Sequence, residues 1–140
     1  MADFNNAAVR AVRADGVRTL ARGIPKIVGL AAYGGKIFAT SYEVNRLVTI
    51  EAGQVTPWIG RELAPLEGVA ADSNGVVLAD AGNYRVVRIA YGTSQLTQLL
   101  GDGRYGDSPA RVSLPRGVAR FGQAWAVADT GHHRILLAVP

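Results

Sequence analysis

Cysteine is absent from the 140 residues. That excludes disulfides, zinc ribbons, thiol catalysis and Cys-held clusters, and it leaves the compartment open. Long apolar runs are absent too. The longest, Ile27 to Tyr33, carries a glycine and falls far short of the roughly 18 residues a membrane-spanning helix needs. No basic, apolar and small-residue order of the signal-peptide kind opens the sequence; no membrane partner is expected, and the localisation stays undetermined. Histidine is limited to His132 and His133. Acidic residues number 11 against 15 Lys and Arg, giving a net charge of +4. That balance permits an anionic partner without demanding one. What is abundant is apolar residue content, 49%, too high for a disordered chain. A chain of this length makes one domain and buries roughly 70% of its unfolded surface. Seventeen Gly and six Pro count against a helical protein.

The sequence repeats itself. Gly-apolar-Ala occurs at Gly29-Leu30-Ala31, Gly68-Val69-Ala70 and Gly117-Val118-Ala119. Arg followed by an aliphatic occurs at Arg46-Leu47, Arg85-Val86 and Arg134-Ile135. Each Gly-to-Arg step is 17 residues. Pro25, Pro65 and Pro115 precede the glycines, and an apolar run ending in a turn fills each interval. A partial copy opens the chain, with Ala2 to Val9 aligning on Ala128 to Ile135 and Ala8 in the Arg position. The periods are then 38, 39 and 49 residues, the last lengthened by the Gly/Asp loop from Gly101 to Pro109.

Each period parses into four short strands. The first carries Gly-apolar-Ala, and the second is a continuous apolar run expected to be buried on both faces. The Asp-x-Gly-Asn segment is expected to reverse the chain through positive φ at Gly and Asn. The third strand follows the Arg. The fourth alternates, as in Val17 to Arg22 and Val55 to Ile59, and Pro57, lacking an amide donor, places it at an edge. Four strands in about 40 residues, repeated, is the pattern of a β-propeller blade. The expected fold class is therefore all-β, with about three four-stranded antiparallel blades per chain. The partial blade covers 2–23, blade 1 covers 24–61, blade 2 covers 62–112, and blade 3 covers 113–140 without its outer strand.

At these residues the chain resembles the NHL-repeat β-propellers. The resemblance rests on Val127-Ala128-Asp129-Thr130-Gly131-His132-His133-Arg134-Ile135, on Leu78 to Val86, and on Leu114-Pro115-Arg116-Gly117-Val118-Ala119. The loop from Gly101 to Asp107 is similar to the family's inter-blade connection. The stretch from Gly29 to Leu47 matches less closely. The resemblance implies the fold and leaves activity open, because propellers host many functions.

Propellers typically close with four to eight blades. Two arrangements supply the rest: self-association into a six-bladed dimeric ring, with Val17 to Arg22 of one copy completing blade 3 of the other, or a longer propeller of which this is a portion. The N-terminal third strand, Val9 to Arg13, is surplus in the first arrangement.

Candidate chemical residues recur with the repeat. Asp80 and Arg85, and Asp129 and Arg134, suit an acid/base or anion-binding pair. Their recurrence favours a structural motif instead, built from Gly29, Arg46, Gly68, Asp80, Asn83, Arg85, Gly117, Asp129, His132 and Arg134. A catalytic group is needed once per site, whereas blade packing is needed in every blade. His132 and His133 point to opposite faces if extended and do not share a metal. Glu67, Asp72 and Asn74 show no metal-ligand spacing. Residues 102–107 lack the alternating acids of a calcium loop. No catalytic residue, cofactor or metal is expected. Arg10, Arg13, Arg18 and Arg22 form the one cluster suited to an anionic partner, and without interleaved aromatics nucleic acid is not the expected one. The expected function is a non-catalytic protein-interaction or scaffold module that self-associates. The alternatives are a propeller hydrolase or lyase with an axial site, and an RNA-binding propeller.

Overall fold

The computed structural model describes residues 1–60, 62–106, 108 and 110–139. Its strands are β1 (Ala2–Asp3), β2 (Ala8–Arg13), β3 (Gly16–Arg22), β4 (Ile27–Tyr33), β5 (Lys36–Ser41), β6 (Arg46–Glu51), β7 (Gln54–Ile59), β8 (Leu66–Asp72), β9 (Gly75–Asp80), β10 (Arg85–Ala90), β11 (Leu96–Leu100), β12 (Pro115–Phe121), β13 (Ala124–Asp129) and β14 (Arg134–Ala138). They form four antiparallel sheets in the orders β1-β2-β3, β4-β5-β6-β7, β8-β9-β10-β11 and β12-β13-β14. Every sheet is a meander, as expected of blades joined by tight turns.

Local sequence explains the strand positions. β9 is buried along its whole length, as its unbroken apolar run requires of a strand covered on both faces. Pro57 lies in β7, the outer edge of its sheet, opposite Val48 beside a bulge, where its missing amide costs no ladder bond.

The sheets pack face to face through three apolar clusters. Val9 and Ala21 meet Ile27, Ala39, Val48 and Ile50 between the first two sheets. Phe38 and Leu47 meet Leu66, Leu78, Val87 and Ile89 between the next two. Val77 and Val86 meet Trp125 and Val127 at the last junction. Trp125 is fully buried there, with the guanidinium carbons of Arg88 and Arg120 at 5.8 and 5.0 Å from its ring centroid.

The repeated glycines sit where the inner strands β4, β8 and β12 come together. A Cβ on Gly29 would lie 2.6 Å from the carbonyl oxygen of Glu67 in the neighbouring sheet. One on Gly68 would lie 2.4 Å from the carbonyl oxygen of Arg116. On Gly117 the nearest atom would be Ala128 Cβ of its own sheet, at 3.2 Å. The glycines thus set the distance of closest approach between blades, and the third has no blade beyond it in this chain.

The expected turn conformation is corrected. Gly82 and Gly131 do not have positive φ. Each Asp leads into one turn of 3₁₀ helix, closed by a left-handed residue just before the Arg: Tyr84 at φ 49° and His133 at φ 52°. Asn45 (φ 49°) and Ala7 (φ 48°) take that conformation before Arg46 and Ala8. The motif glycines are required for space instead. A Cβ on Gly82 would meet Ala64 Cβ at 2.6 Å, and one on Gly131 would overlap Ser113.

Gly68→Ala is expected to destabilise the chain by about 3 kcal/mol, because backbone must move. Gly117→Ala should cost under about 0.5 kcal/mol in the dissociated chain. Urea unfolding of the two variants checks the contrast.

Candidate functional site

The Asp and Arg of the repeat meet in each of the last two sheets, and they bind the same kinds of atom in both. Asp80 is fully buried. Its Oδ1 accepts from the Ala64 amide at 3.0 Å, and its Oδ2 accepts from Asn83 Nδ2 at 2.9 Å and Arg85 Nε at 2.8 Å. Arg85 then donates through Nη2 to the Glu62 carbonyl at 2.8 Å. In the last sheet Asp129 Oδ1 accepts from the Ser113 amide at 2.6 Å, Oδ2 lies 2.9 Å from His132 Nδ1 and accepts from Arg134 Nε at 2.8 Å. Arg134 Nη2 donates to the Arg111 carbonyl at 2.7 Å. His132 therefore occupies the place of Asn83. The four groups join the turn between the second and third strands to the segment entering the same sheet. These bonds all run within one blade.

Burial acts to raise the Asp129 carboxyl, but the bonds from the Ser113 amide, Arg134 and His132 outweigh it and hold its pKa below the usual carboxylate value. Asp72 behaves alike: burial raises it, and the Asn74 amide together with Arg88 and Arg120 prevails, lowering it. Asp72 accepts from Arg88 Nη2 at 2.8 Å and from Arg120 Nη1 at 3.2 Å, the second bond crossing between sheets. This inter-blade clasp was not singled out from sequence. Its only signal is an acid two residues before Asn74 at a strand-ending turn, where the side chain caps the Asn74 amide at 2.8 Å.

The first two copies depart from the pattern. Asp3 holds Asn6 at 2.8 Å and, since Ala8 stands in the Arg position, accepts instead from Arg10 Nε at 2.9 Å. In the sheet of β4 to β7, Ser41 stands in the Asp position and donates to the Pro25 carbonyl. Arg46, grouped with the motif by spacing, pairs with Ser41 through the strand ladder, and its exposed side chain has no hydrogen-bond or ion-pair partner among the described residues.

The four N-terminal arginines are not brought together as one patch. Arg10 is tied to Asp3 and, through Nη1, to Thr19 at 2.7 Å. A bulge at Leu20 sets Arg22 opposite Ala8, on the face of Arg10, whereas Arg18 pairs with Ala11 and lies on the other face with Arg13 at the hairpin end of β2. Among the described residues no three His, Asp or Glu side chains converge. Glu67 lies 3.8 Å from Arg116, and Asp102 Oδ2 accepts from Arg111 Nε at 3.0 Å. Asp107 of the same loop lies outside the described residues. No helix among the described residues is long and apolar enough to cross a membrane.

The open surfaces are the two end faces of the array. Ile135 occupies the β14 position that Leu47 and Val86 occupy in β6 and β10. Those two are 0% exposed beneath the next sheet, whereas Ile135 is 69% exposed. Leu137 and, toward the other end of the sheet, Phe121 are exposed on the same face. At the other end Val12 stands where Ile50 and Ile89 stand in the following sheets. They are 3% and 0% exposed and Val12 is 61% exposed. The two ends are thus the leading and trailing faces of one packing type.

Comparison with known proteins adds the fold. No family model and no curated protein matches the chain. Solved structures do. A nidogen/laminin complex matches at TM-score 0.69 and 14% identity over 94% of this chain and 58% of that one. Virginiamycin B lyase from Staphylococcus aureus matches at 0.69 and 11% over 99% and 50%. An auxiliary nutrient binding protein from Bacteroides thetaiotaomicron matches at 0.75 and 14% over 98% and 40%.

Arg85→Ala is expected to lower stability by about 2 kcal/mol, because it leaves the buried Asp80 carboxylate short of a partner. Arg46→Ala should change stability by less than about 0.5 kcal/mol. Thermal unfolding distinguishes them. For Asp129 the folded pKa lies below the unfolded value of about 3.9, so its contribution is present above that pH and is lost as pH falls through the folded pKa. Asp129→Asn should accordingly flatten the fall in stability below about pH 4, as read by urea midpoints at a series of pH values.

The matched chains are β-propeller-like, and this chain spans about half of their length; it is an all-β array of propeller-like blades.

Proposed function

We propose that the chain is a non-catalytic interaction module of the NHL-repeat type, and that its end faces are completed by a second copy packed head to tail. The observation that carries the reading is the exposure of Ile135 at 69% where Leu47 and Val86 are sealed at 0%. Val12 supports it at the other end. Each open face is of the kind that already buries the other kind at the internal junctions, so a leading face of one copy fits a trailing face of the next. Two such contacts related by a two-fold axis close a ring and leave no apolar face in water. The pairing of β3 with β2 over Ala8 to Arg13 favours face-to-face docking over donation of β3, which needs that hairpin broken. Lone exposed apolar residues are ordinary on proteins; Ile135 and Val12 differ because the same repeat positions are buried in the other sheets. The module then acts through the rims and through what its ring brings together.

Light scattering is expected to give twice the chain mass. Ile135→Glu should return the mass to that of one chain without unfolding it, since that side chain is exposed in the single copy. A strictly monomeric, well-folded wild type overturns the reading.

A further inference from the structure

Arg46 is the one motif arginine without a motif acid, and the reason lies sixteen residues before position 41. In the last two sheets the motif aspartate accepts from the amide of the residue sixteen earlier, Ala64 for Asp80 and Ser113 for Asp129. For position 41 that residue is Pro25, which has no amide hydrogen. A buried carboxylate there would lose its backbone donor, a costly arrangement. Ser41 reverses the polarity instead, donating its hydroxyl to the Pro25 carbonyl. With no carboxylate beside it, Arg46 is released from the role that Arg85 and Arg134 perform.

The released side chain lines a crevice of about 690 Å³ on the outer side of β7, where the sheet of β4 to β7 faces the segment entering the next sheet. Pro57, Trp58, Ile59 and Leu63 form its apolar wall, and Ser94 adds a hydroxyl. Asn45 Oδ1, beside Arg46, is buried with no hydrogen-bond partner among the described residues. The carboxamide carries an NH2 group beside that oxygen, so this side chain offers a donor as well as an acceptor. Arg46 is the only cation among the described lining residues, and Glu62 lies at the edge. The guanidinium fork of Arg46 matches a carboxylate in two parallel bonds, and the adjoining apolar wall suits a carboxylate carried on an apolar body.

We propose that this crevice is a binding site for a carboxylate borne on an apolar or aromatic body, with Arg46 as the anion anchor and Trp58, Pro57 and Ile59 as the apolar wall. The site arises once in the chain because one repeat lost its acid. It does not depend on self-association.

The test uses the full chain and benzoate as probe, followed by amide shifts in ¹H–¹⁵N spectra, with benzyl alcohol and inorganic phosphate as controls. Saturable shifts are expected at Asn45, Arg46 and Trp58, with Kd at least about tenfold lower for benzoate than for either control. Arg46→Ala should weaken benzoate about tenfold or more while leaving the melting temperature unchanged. The double variant Pro25→Ala/Ser41→Asp restores amide and acid together. It is expected to recapture Arg46 and weaken benzoate about as much, without loss of stability. Binding that Arg46→Ala changes less than twofold, shifts confined to other residues, or tighter binding of phosphate through Arg46 overturns the proposal. A folded double variant that still binds benzoate within twofold of wild type overturns the account of how Arg46 was released.

Discussion

The architecture depends on how closely the inner strands of adjacent sheets approach. Gly29 and Gly68 each leave a gap that a single methyl would close against a neighbouring backbone carbonyl, at 2.6 and 2.4 Å. That contact draws the sheets into van der Waals range, where the second strands are covered from both sides and the apolar clusters can form. Side chains farther out, Leu47 and Val86 among them, are sealed only because the inner strands have already met. A propeller blade has little core of its own, so its stability is mostly shared with its neighbours. This is why the ends of the array differ from its middle.

Within a blade a second constraint operates. The buried Asp of the repeat would be expensive alone, and its oxygens are satisfied by an amide, a side-chain partner and an arginine arriving from fixed positions. The same three kinds of donor at Asp80 and Asp129 show a unit that folds as a set. Position 41 shows the converse. Once Pro25 removes the amide, the acid is replaced by Ser41 and the arginine is left without a counter-charge. A substitution at one end of a hydrogen-bonded set thereby frees a charged group at the other, and repeats that depart from their own pattern are where unique chemistry arises.

Much of the fold was legible because it is written in spacing. The 17-residue steps, the run from Val76 to Asp80 and Pro57 on its edge strand each reflect a constraint that acts on one residue at one depth in the sheet. The turns were harder. Gly and Asn before an Arg read as left-handed residues, but the left-handed residue is Tyr84 or His133, and glycine is needed for clearance from Ala64 or Ser113. Clearance depends on a segment some sixteen residues away and leaves no local mark. The inter-blade clasp of Asp72 on Arg120 escaped for the same reason, being 48 residues apart in sequence. Arg46 was grouped with its counterparts by position, and only the proline in register with Ala64 and Ser113 distinguishes it.

The central claim, that the glycine landmarks lie on inner strands packed one against the next, is tested most directly by nuclear Overhauser contacts from the glycine Hα protons. The account predicts a cross-peak between Gly68 and Gly117, since a Cβ built on Gly68 falls 3.2 Å from Gly117 Cα, and another from Gly29 to a Val69 methyl. Both residue pairs are far apart in sequence, so the cross-peaks arise only if neighbouring blades share a hub. Their absence from a well-dispersed spectrum of the folded chain contradicts the account.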